Sequence, residues 1–365
     1  MNILILNWRD IRHPLSGGAE ISLFEHAKYW AKKRAQVTWF ASSFKNAKQK
    51  EEIEGVKIMR RGSHYSAHFF AFMYYMLGKF GKPDIVVDSF HFLPFFTPLY
   101  MKEVKIVGLI NEVAGSVWFA NIVFPFSLIG YLLEPLFFIF YKRKRFITSS
   151  LSAKKELVKL GIPEQNIQNV QHGVTVGKVE GISKEKEPTV IFLGRISRDK
   201  GIRDALEAFG MLFERINDLQ IWVVGKEEKK GYLGTLLKDK RFSNLAFCLK
   251  YFNYVSESKK FELLKKAWIL VHPSRKEGWG LNVIEAASQG TPTVGYDREG
   301  LRDSIVDGKT GLLTDSNPVS LANTIAELIS NKNLYNKLSE GAADWAKKFS
   351  WKKSNEESWE ILIAS

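Results

Sequence analysis

Residues 268–287 read WILVHPSRKEGWGLNVIEAA, a stretch that indicates a strand, a glycine-containing loop and a helix in that order. Its first four residues form an apolar run typical of a buried strand, and its last seven have helical periodicity. A strand that leads into a helix through glycines directs backbone N–H groups and the positive helix end toward one point. Glu277 in the loop and Glu285 in the helix add carboxylates, which accept hydrogen bonds from sugar or ribose hydroxyls. The stretch therefore predicts an anion site with carboxylates beside it.

Short apolar runs alternate with helix-length segments along the rest of the chain as well. We expect strands at Ile3–Leu6, Val37–Phe40, Val56–Met59, Ile85–Val87, Val104–Leu109, Phe146–Thr148, Thr189–Leu193, Gln220–Val224, Leu245–Leu249, Ile269–Val271, Thr293–Val294 and Gly311–Leu313. Strands separated by helices indicate parallel sheets that are covered on both faces. The predicted fold class is α/β, with two Rossmann-like doubly wound domains.

The length of 365 residues and a polar segment near the middle favour two domains. Glu180–Pro188 is charged and ends in proline, as linkers commonly do. We assign 1–178 to a first domain, 179–188 to the linker, 189–348 to a second domain and 349–365 to a C-terminal helix. Ligands of open α/β sheets bind beyond the carboxyl ends of the strands, so we expect the site in a cleft between the domains.

Positive charge and phenylalanine are concentrated in the first half of the chain. The formal net charge is +14, of which residues 1–180 carry +10, and the same residues hold 18 of the 26 phenylalanines. A basic, aromatic half suits nucleic acid or an anionic membrane surface, but the chain has no helix-turn-helix, zinc-finger or RNP-type pattern. We therefore expect no nucleic acid partner. The one cysteine, Cys248, excludes an intrachain disulfide and favours a cytoplasmic location.

The segment Ile122–Tyr141 has the length of a membrane-spanning helix and is almost wholly apolar. Glu134 argues against spanning, because a carboxylate at mid-span costs about 2.5 to 3.5 kcal/mol. Basic residues follow directly, a pattern typical of interfacial helices. We expect a membrane-facing surface made of Phe137, Phe138, Phe140, Lys142, Arg143, Lys144 and Arg145. A buried crossover helix followed by a basic loop is the alternative.

Two further segments suit phosphate groups. Gly17 and Gly18 stand where a helix begins, and glycines there let backbone N–H groups approach an anion. Arg195 and Lys200 follow a predicted strand, and a guanidinium beside an ammonium suits a diphosphate. The chain has no D-x-D motif, no metal-spaced cluster of histidines and carboxylates, and no G-x-G-x-x-G after a strand. We therefore expect no metal and no dinucleotide cofactor.

These motifs together resemble those of the family 4 retaining glycosyltransferases. Glu277 to Glu285 matches the E-x7-E motif of that family, and GGAE at 17–20, Gly194-Arg195 with Lys200-Gly201, and G-x-T-G-L-L at 308–313 agree with it. The resemblance implies a GT-B fold, in which the second domain holds a nucleotide sugar and the last helix crosses back to the first. It also implies a hexosyltransferase-type enzyme that works without a metal and retains the anomeric configuration.

The resemblance further implies a role for each matched residue. Arg195 and Lys200 hold the donor diphosphate, Glu285 binds the ribose, and Glu277 contacts the transferred sugar. The phosphate site is completed by backbone N–H groups of Gly17, Gly18, Gly278, Trp279, Gly280 and Leu281. Asn111 stands where relatives usually carry a histidine, and it can neither bear charge nor transfer a proton. Candidates for the acceptor side or for the missing histidine are His13, His91, Glu112 and His172.

The leading expectation is an enzyme that moves a sugar from a nucleotide-diphosphate sugar to a lipid-linked acceptor. The basic, Phe-rich first half carries the acceptor part and places the enzyme peripherally on the inner, cytoplasmic face of the cell membrane. Two alternatives stay open. One is a transferase or phosphorylase that acts on soluble sugars, and the other is a catalytically weakened binding or scaffold protein, suggested by Asn111.

Overall fold

The computed structural model describes residues 1–175 and 181–364. The chain divides into two compact units, the first made of Met1–Gly173 with Trp351–Ser365 and the second of Val174–Ser350. The predicted domain end at residue 178 and the first two positions of the predicted linker, 179 and 180, lie outside the described residues. Each unit contains a largely parallel sheet with helices, which confirms the predicted fold class.

The first unit is built on an eight-stranded sheet with the order β3-β4-β2-β1-β5-β6-β7-β8. Its strands are β1 (Asn2–Leu6), β2 (Gln36–Ala41), β3 (Lys50–Ile53), β4 (Val56–Arg60), β5 (Ile85–Ser89), β6 (Lys105–Leu109), β7 (Arg145–Thr148) and β8 (Ile167–Asn169). Neighbouring strands are parallel except for the antiparallel pair β3 and β4. Its α-helices are α1 (Gly18–Lys32), α2 (Ala67–Met76), α3 (Val117–Asn121), α4 (Phe126–Phe137), α5 (Leu151–Lys159) and α13 (Trp351–Ile363), and short 3₁₀ helices cover Thr97–Leu99, Phe138–Tyr141 and Glu164–Asn166.

The second unit is built on a six-stranded parallel sheet with the order β11-β10-β9-β12-β13-β14. Its strands are β9 (Thr189–Leu193), β10 (Gln220–Val224), β11 (Leu249–Phe252), β12 (Ile269–His272), β13 (Thr293–Tyr296) and β14 (Gly311–Thr314). Its α-helices are α6 (Ile202–Phe213), α7 (Tyr232–Leu237), α8 (Glu257–Lys266), α9 (Leu281–Ser288), α10 (Leu301–Ser304), α11 (Pro318–Ser330) and α12 (Lys332–Ala346), with a 3₁₀ helix at Lys240–Phe247.

The central strands are apolar throughout because both faces of each sheet are buried. In β9, Val190 and Phe192 pack into one hydrophobic cluster, whereas Ile191 and Leu193 pack into another on the opposite face. Successive side chains of a strand point to opposite faces, so a strand with two buried faces needs an unbroken apolar run.

The strand predictions fail at three places. The strands β3 and β8 were not predicted, because β3 is the charged edge sequence KEEI and β8 has only three residues. The strand predicted at Leu245–Leu249 is wrong, since the chain is in a 3₁₀ helix up to Phe247 and β11 begins at Leu249. Leu245 is buried in the core, so its apolar character reports burial in a helix and not in a strand.

Helix α4 turns its small and polar residues inward and its apolar residues outward. Ser127, Gly130 and Glu134, which share one helical face, are buried. By contrast, Phe126 is 65% and Leu132 is 62% exposed. Phe140, just beyond the helix, is 45% exposed, and Lys142 and Arg143 are exposed as well. No helix within residues 1–175 and 181–364 is both long and apolar enough to cross a membrane.

Two residues of the predicted membrane-facing surface lie elsewhere. Phe138 is fully buried and stacks on Phe90 in the core, because the 3₁₀ helix turns it toward the sheet. Arg145 begins β7, and its Nη1 donates to the backbone oxygen of Ala364. Phe137 and Lys144 are half-buried. The outward surface of this region is therefore formed mainly by α4 itself, with Phe140, Lys142 and Arg143 next to it.

The hydrogen bonds of Glu134 explain why the apolar helix α4 contains a carboxylate. Its oxygens accept hydrogen bonds from the backbone N–H groups of Ala114 (2.8 Å) and Gly115 (2.7 Å) and from Trp118 Nε1 (3.1 Å). Gly130 lies under the Trp118 ring, where a Cβ atom would overlap the indole. The buried face of α4 thus fixes the loop that follows β6.

Replacing Glu134 with alanine removes the acceptor of three hydrogen bonds, two of which come from buried donors on Ala114 and Trp118. Each such donor costs about 1 to 3 kcal/mol. We expect the amides of Ala114 and Gly115 to exchange with deuterium about 10- to 100-fold faster in Glu134→Ala. Hydrogen exchange measures these rates. For Glu134→Gln we expect rates between those of the parent and of Glu134→Ala, and for the control Glu103→Ala, at an exposed position, we expect the rates of the parent. Unchanged exchange in Glu134→Ala would show that the carboxylate does not hold the loop.

Candidate active site

The predicted donor residues of the second unit follow two neighbouring strands. Arg195 and Lys200 follow β9, and Glu277 follows β12, which pairs with β9 in parallel. Hydrogen bonds to backbone oxygens join the segments. Asn282 Nδ2 donates to the backbone oxygen of Leu193 (2.9 Å), and the backbone N–H of Arg275 donates to the backbone oxygen of Asp199 (3.0 Å).

Gly201 also brings the two segments together. It has a φ of 73° at the start of α6, and a Cβ atom there would overlap the carbonyl group of Pro273. Glycine is required by both the left-handed backbone and the close approach.

Lys200 and Glu277 form the central ion pair of the site. Lys200 Nζ lies 2.7 Å from Glu277 Oε1, and His272 Nε2 lies 3.0 Å from the same oxygen. Burial opposes ionisation of Glu277, but the charge of Lys200 and the hydrogen bond from His272 outweigh it and hold its pKa well below the usual range. Glu277 is therefore a carboxylate at neutral pH. His272 was not among the predicted residues, although it is the last residue of β12, directly before the loop that carries Glu277.

Glu285 lies in α9 and has a different environment. The side chain is 8% exposed, and its Oε1 lies 2.7 Å from Lys260 Nζ. Its Oε2 is buried and has no hydrogen-bond partner among the described residues. Burial raises the pKa of Glu285 against the opposing charge of Lys260. One carboxylate oxygen of Glu285 is thus anchored by α8 and the other has unused acceptor capacity. Lys260 was not predicted, because nothing near it in sequence belongs to the motif.

The residues between the two glutamates lead into α9. Gly280 takes a φ of 78° directly before Leu281, the first residue of the helix, and a Cβ there would crowd Ser304. Trp279 is buried and packs on Phe349, so its ring belongs to the core and only its backbone remains a candidate for phosphate contact.

The guanidinium of Arg195 is held by a neighbouring carboxylate. Its Nη2 lies 2.8 Å from Asp199 Oδ2, and about a third of the side chain is exposed. Burial works against ionisation of Asp199, but Arg195 and Lys200 lower its pKa overall. The two cations predicted to hold a diphosphate are therefore both paired with carboxylates of the same unit.

In the first unit, the predicted glycines begin α1 beside a buried carboxylate. The Gly17 N–H donates to Glu20 Oε2 (2.8 Å). Of the two glycines predicted to bind a phosphate through their N–H groups, only Gly18 therefore remains a candidate. Arg9 Nη2 and His91 Nε2 each lie 3.0 Å from Glu20 Oε1. Burial opposes ionisation of Glu20, but the charge of Arg9, His91 and the Gly17 amide bring its pKa to about 2.

His91 has both ring nitrogens engaged in this network. Nε2 contacts Glu20, and Nδ1 lies 3.3 Å from Arg9 Nη2. His13 accepts a hydrogen bond at Nδ1 from the amide of Leu15 (3.1 Å), and burial and Arg9 lower its pKa. Both histidines thus brace the segment between β1 and α1. Arg9 and Glu20 carry that network, and Glu20 could have been found from its place in the GGAE sequence.

His172 is a core residue of the first unit. Its Nδ1 lies 2.6 Å from Ser22 Oγ, its ring lies 6.5 Å from that of Trp351, and burial lowers its pKa to about 3. It therefore packs between α1 and α13. Asn111 is half-buried and Glu112 is exposed in the loop after β6.

Solved structures that share this fold include glycosyltransferases. HepE of Anabaena, in complex with UDP and glucose, has a TM-score of 0.76 and 17% identity, with 100% of both chains covered. WaaG, a glycosyltransferase involved in lipopolysaccharide biosynthesis, has a TM-score of 0.78 and 16% identity, again with 100% of both chains covered. At this identity the likeness shows the fold alone, which is GT-B.

Two family models match adjoining parts of the chain. Glycosyltransferase Family 4 matches residues 16–178, and Glycosyl transferases group 1 matches residues 178–345. Together they span residues 16–345. The chain therefore belongs to the family 4 glycosyltransferases, as its sequence predicts.

Curated relatives match over part of their length. The poly(glycerol-phosphate) alpha-glucosyltransferase of Bacillus subtilis is 29% identical over 174 residues, which are 47% of this chain and 25% of that protein. Two glycosyltransferases of Methanocaldococcus jannaschii are matched over 26% and 58% of their length. The matches thus cover from a quarter to somewhat more than half of these relatives.

The two lysine–glutamate pairs allow a matched test of the site. In Lys200→Met, burial acts on Glu277 without the opposing cation, so we expect its pKa to rise while that of Glu285 stays the same. In Lys260→Met, we expect the pKa of Glu285 to rise further and that of Glu277 to stay the same. Carboxyl ¹³C NMR of glutamate-labelled protein measures both. If the pKa of Glu277 is unchanged in Lys200→Met, the assigned ion pair of Lys200 with Glu277 is contradicted.

Proposed function

We propose that this protein is a retaining, metal-independent glycosyltransferase that transfers a hexose from a nucleotide-diphosphate sugar. The observation that carries the proposal is the meeting of Lys200 with Glu277 at the carboxyl ends of β9 and β12. A cation, a carboxylate and the start of α9 lie at one edge of a sheet, where open α/β folds bind ligands. Membership of the glycosyltransferase family gives this arrangement its chemistry.

The proposed donor site uses the two cations to stabilise the leaving group. As the bond to the sugar breaks, negative charge develops on the diphosphate, and Arg195 and Lys200 are placed to neutralise it. Both cations are paired with Asp199 and Glu277 in the free protein, which holds their side chains in position before the donor binds. The complex of HepE with UDP and glucose supports a donor of this class.

The two glutamates have separate proposed roles. Glu277 is ionised and accepts hydrogen bonds from hydroxyls of the transferred sugar. Glu285 is anchored through Oε1 by Lys260, and its Oε2 accepts from the ribose hydroxyls. Asn111 contacts the sugar as a neutral donor and acceptor, so no proton transfer is assigned to it.

For the acceptor, we propose a lipid-linked molecule at the inner face of the cell membrane. The apolar outer face of α4 stands beside exposed Lys142 and Arg143, a combination that suits an anionic membrane surface. The role of WaaG in lipopolysaccharide biosynthesis agrees with such an acceptor. The acceptor in the name of the Bacillus subtilis relative, poly(glycerol-phosphate), is also anionic.

Transfer is expected to proceed in the presence of EDTA and to depend on Glu277. A panel of UDP-, GDP- and ADP-sugars first identifies the donor by thermal stabilisation, since a ligand at one hundred times its Kd adds about 2.7 kcal/mol. With that donor, Glu277→Ala is expected to lower transfer by about 100-fold or more, the scale of losing one stabilising group in an active site.

The control is Glu340→Gln, which replaces an exposed glutamate of α12 and should leave transfer unchanged. Transfer that stops with EDTA and returns with a divalent metal would contradict the metal-independent mechanism. A chain that neither transfers nor hydrolyses any of these sugars would favour a binding or scaffold role.

The purified protein is expected to pellet with anionic liposomes and to be released by salt, because the attraction is screened. Each basic residue near the surface contributes about 1 kcal/mol. Replacing Lys142, Arg143 and Lys144 together with alanine is therefore expected to weaken binding by about 100-fold. The matched control replaces Lys45, Lys48 and Lys50, which lie at the opposite edge of the same sheet. Equal loss in both variants, or equal binding to neutral liposomes, would refute the assigned surface.

A further inference from the structure

A groove of about 300 Å³ opens in the first unit between α4 and the loop after β6. Its walls are Val113 and Gly115 of the loop, Tyr131, Leu132 and Pro135 of α4, and Leu160 after α5. The volume is about twice the 150 Å³ at which an apolar cavity holds a benzene molecule. The groove thus has room for a hydrocarbon segment of several carbon atoms.

The only charged residue that lines the groove within the described part of the chain is Glu134. Its oxygens already accept hydrogen bonds from Ala114, Gly115 and Trp118. Because the carboxylate oxygens already accept hydrogen bonds from protein N–H groups, the carboxylate does not need water in the groove. The wall therefore stays suitable for an apolar ligand.

A cation lies close to one residue that follows the groove lining in sequence. The side chain of Lys142 lies beside Gly161, the residue after Leu160, with Nζ 3.9 Å from the position that a Cβ on Gly161 would have. Lys142 is exposed, and Arg143 follows it. An apolar groove with an ammonium near it is complementary to a molecule with a hydrocarbon chain and an anionic head.

The groove is continuous with the surface proposed to meet the membrane and with the loop proposed to contact the sugar. Leu132 belongs both to the groove and to the exposed outer face of α4. Val113 lies two residues after Asn111 in the same loop. A chain in the groove therefore lies between the surface proposed to meet the membrane and the loop proposed to contact the sugar.

We propose that this groove binds the hydrocarbon chain of a phosphate-bearing acceptor lipid, with Lys142 contacting the phosphate. This inference rests on the lipid-linked acceptor proposed above and adds a binding site for one lipid molecule. The groove then selects acceptors by chain length, because each buried methylene contributes about fourfold in affinity.

Calorimetric titration with soluble alkyl phosphates tests the site. Decyl phosphate, used below its micelle concentration, is expected to bind one to one and at least about 60-fold more tightly than butyl phosphate, the gain from burying three of its six extra methylenes. Inorganic phosphate at the same concentrations is expected not to compete. Equal affinity for the butyl and decyl compounds would overturn the proposal, because it would place all binding in the phosphate.

Two exposed leucines of α4 provide matched variants. Leu132 lines the groove, whereas Leu136, one turn further along and 50% exposed, is not part of its lining. Leu132→Asp is expected to weaken decyl phosphate binding by at least tenfold, because it places a carboxylate beside the chain. Leu136→Asp adds the same charge and is expected to stay within about threefold of the parent. Equal losses would overturn the proposal in favour of adsorption to the whole apolar face.

Lys142→Ala tests the phosphate contact, with an expected loss of about tenfold for decyl phosphate. Full affinity in this variant would overturn the assignment of Lys142. The outcome is separable from that of the proposed function. If the protein pellets with liposomes but does not bind decyl phosphate, the lipid-binding groove is refuted and the membrane-associated transferase is not. If decyl phosphate binds in a Leu132-dependent way but the protein neither pellets nor transfers sugar, the groove is supported and the transferase is refuted.

Discussion

Parallel pairing of β9 with β12 is the constraint on which the candidate donor site depends. Val190 pairs with Ile269 and Ile191 with Leu270, so the two strands run side by side and end at the same edge of the sheet. The segments that follow them must then share the space beyond that edge, and Lys200 reaches Glu277 across 77 positions of sequence. A shift of the register by one residue would move every side chain of the strand to the other face and separate this pair.

Burial of a strand on both faces decides which parts of the fold can be predicted from the sequence. Strands such as Thr189–Leu193 and Gln220–Val224 have the predicted bounds, because burial on both faces demands an uninterrupted apolar run. The edge strand Lys50–Ile53 escapes prediction because its exposed side chains are free to be charged. At Leu245 the apolar signal is correct about burial but wrong about conformation, since a short apolar run does not distinguish a strand from a helix.

For the site, the sequence predicts residue types and the strand ends that carry them, but not the partners of those residues. Asp199, His272 and Lys260 contact the predicted Arg195, Glu277 and Glu285. The first two pairs are set by the course of the loops after β9 and β12, whereas Lys260 reaches Glu285 from a different helix. At Gly17 the partner lies close in sequence. The glycine pattern predicts that the Gly17 N–H binds a phosphate, but this N–H already donates to Glu20. The side-chain partners decide which of the predicted groups have hydrogen-bonding capacity left for a ligand.

Helix α4 shows how one residue reconciles an apolar surface with a charged sequence. Glu134 counts against membrane contact when the helix is read alone, yet it points inward and binds the loop after β6. Because the polar face is used for that contact, the apolar side chains of the helix can only face outward. The helix and the loop with Asn111 are thus joined by a carboxylate on the inner face of the helix. Whatever covers α4 is therefore in contact with a helix that Glu134 ties to the loop carrying Asn111.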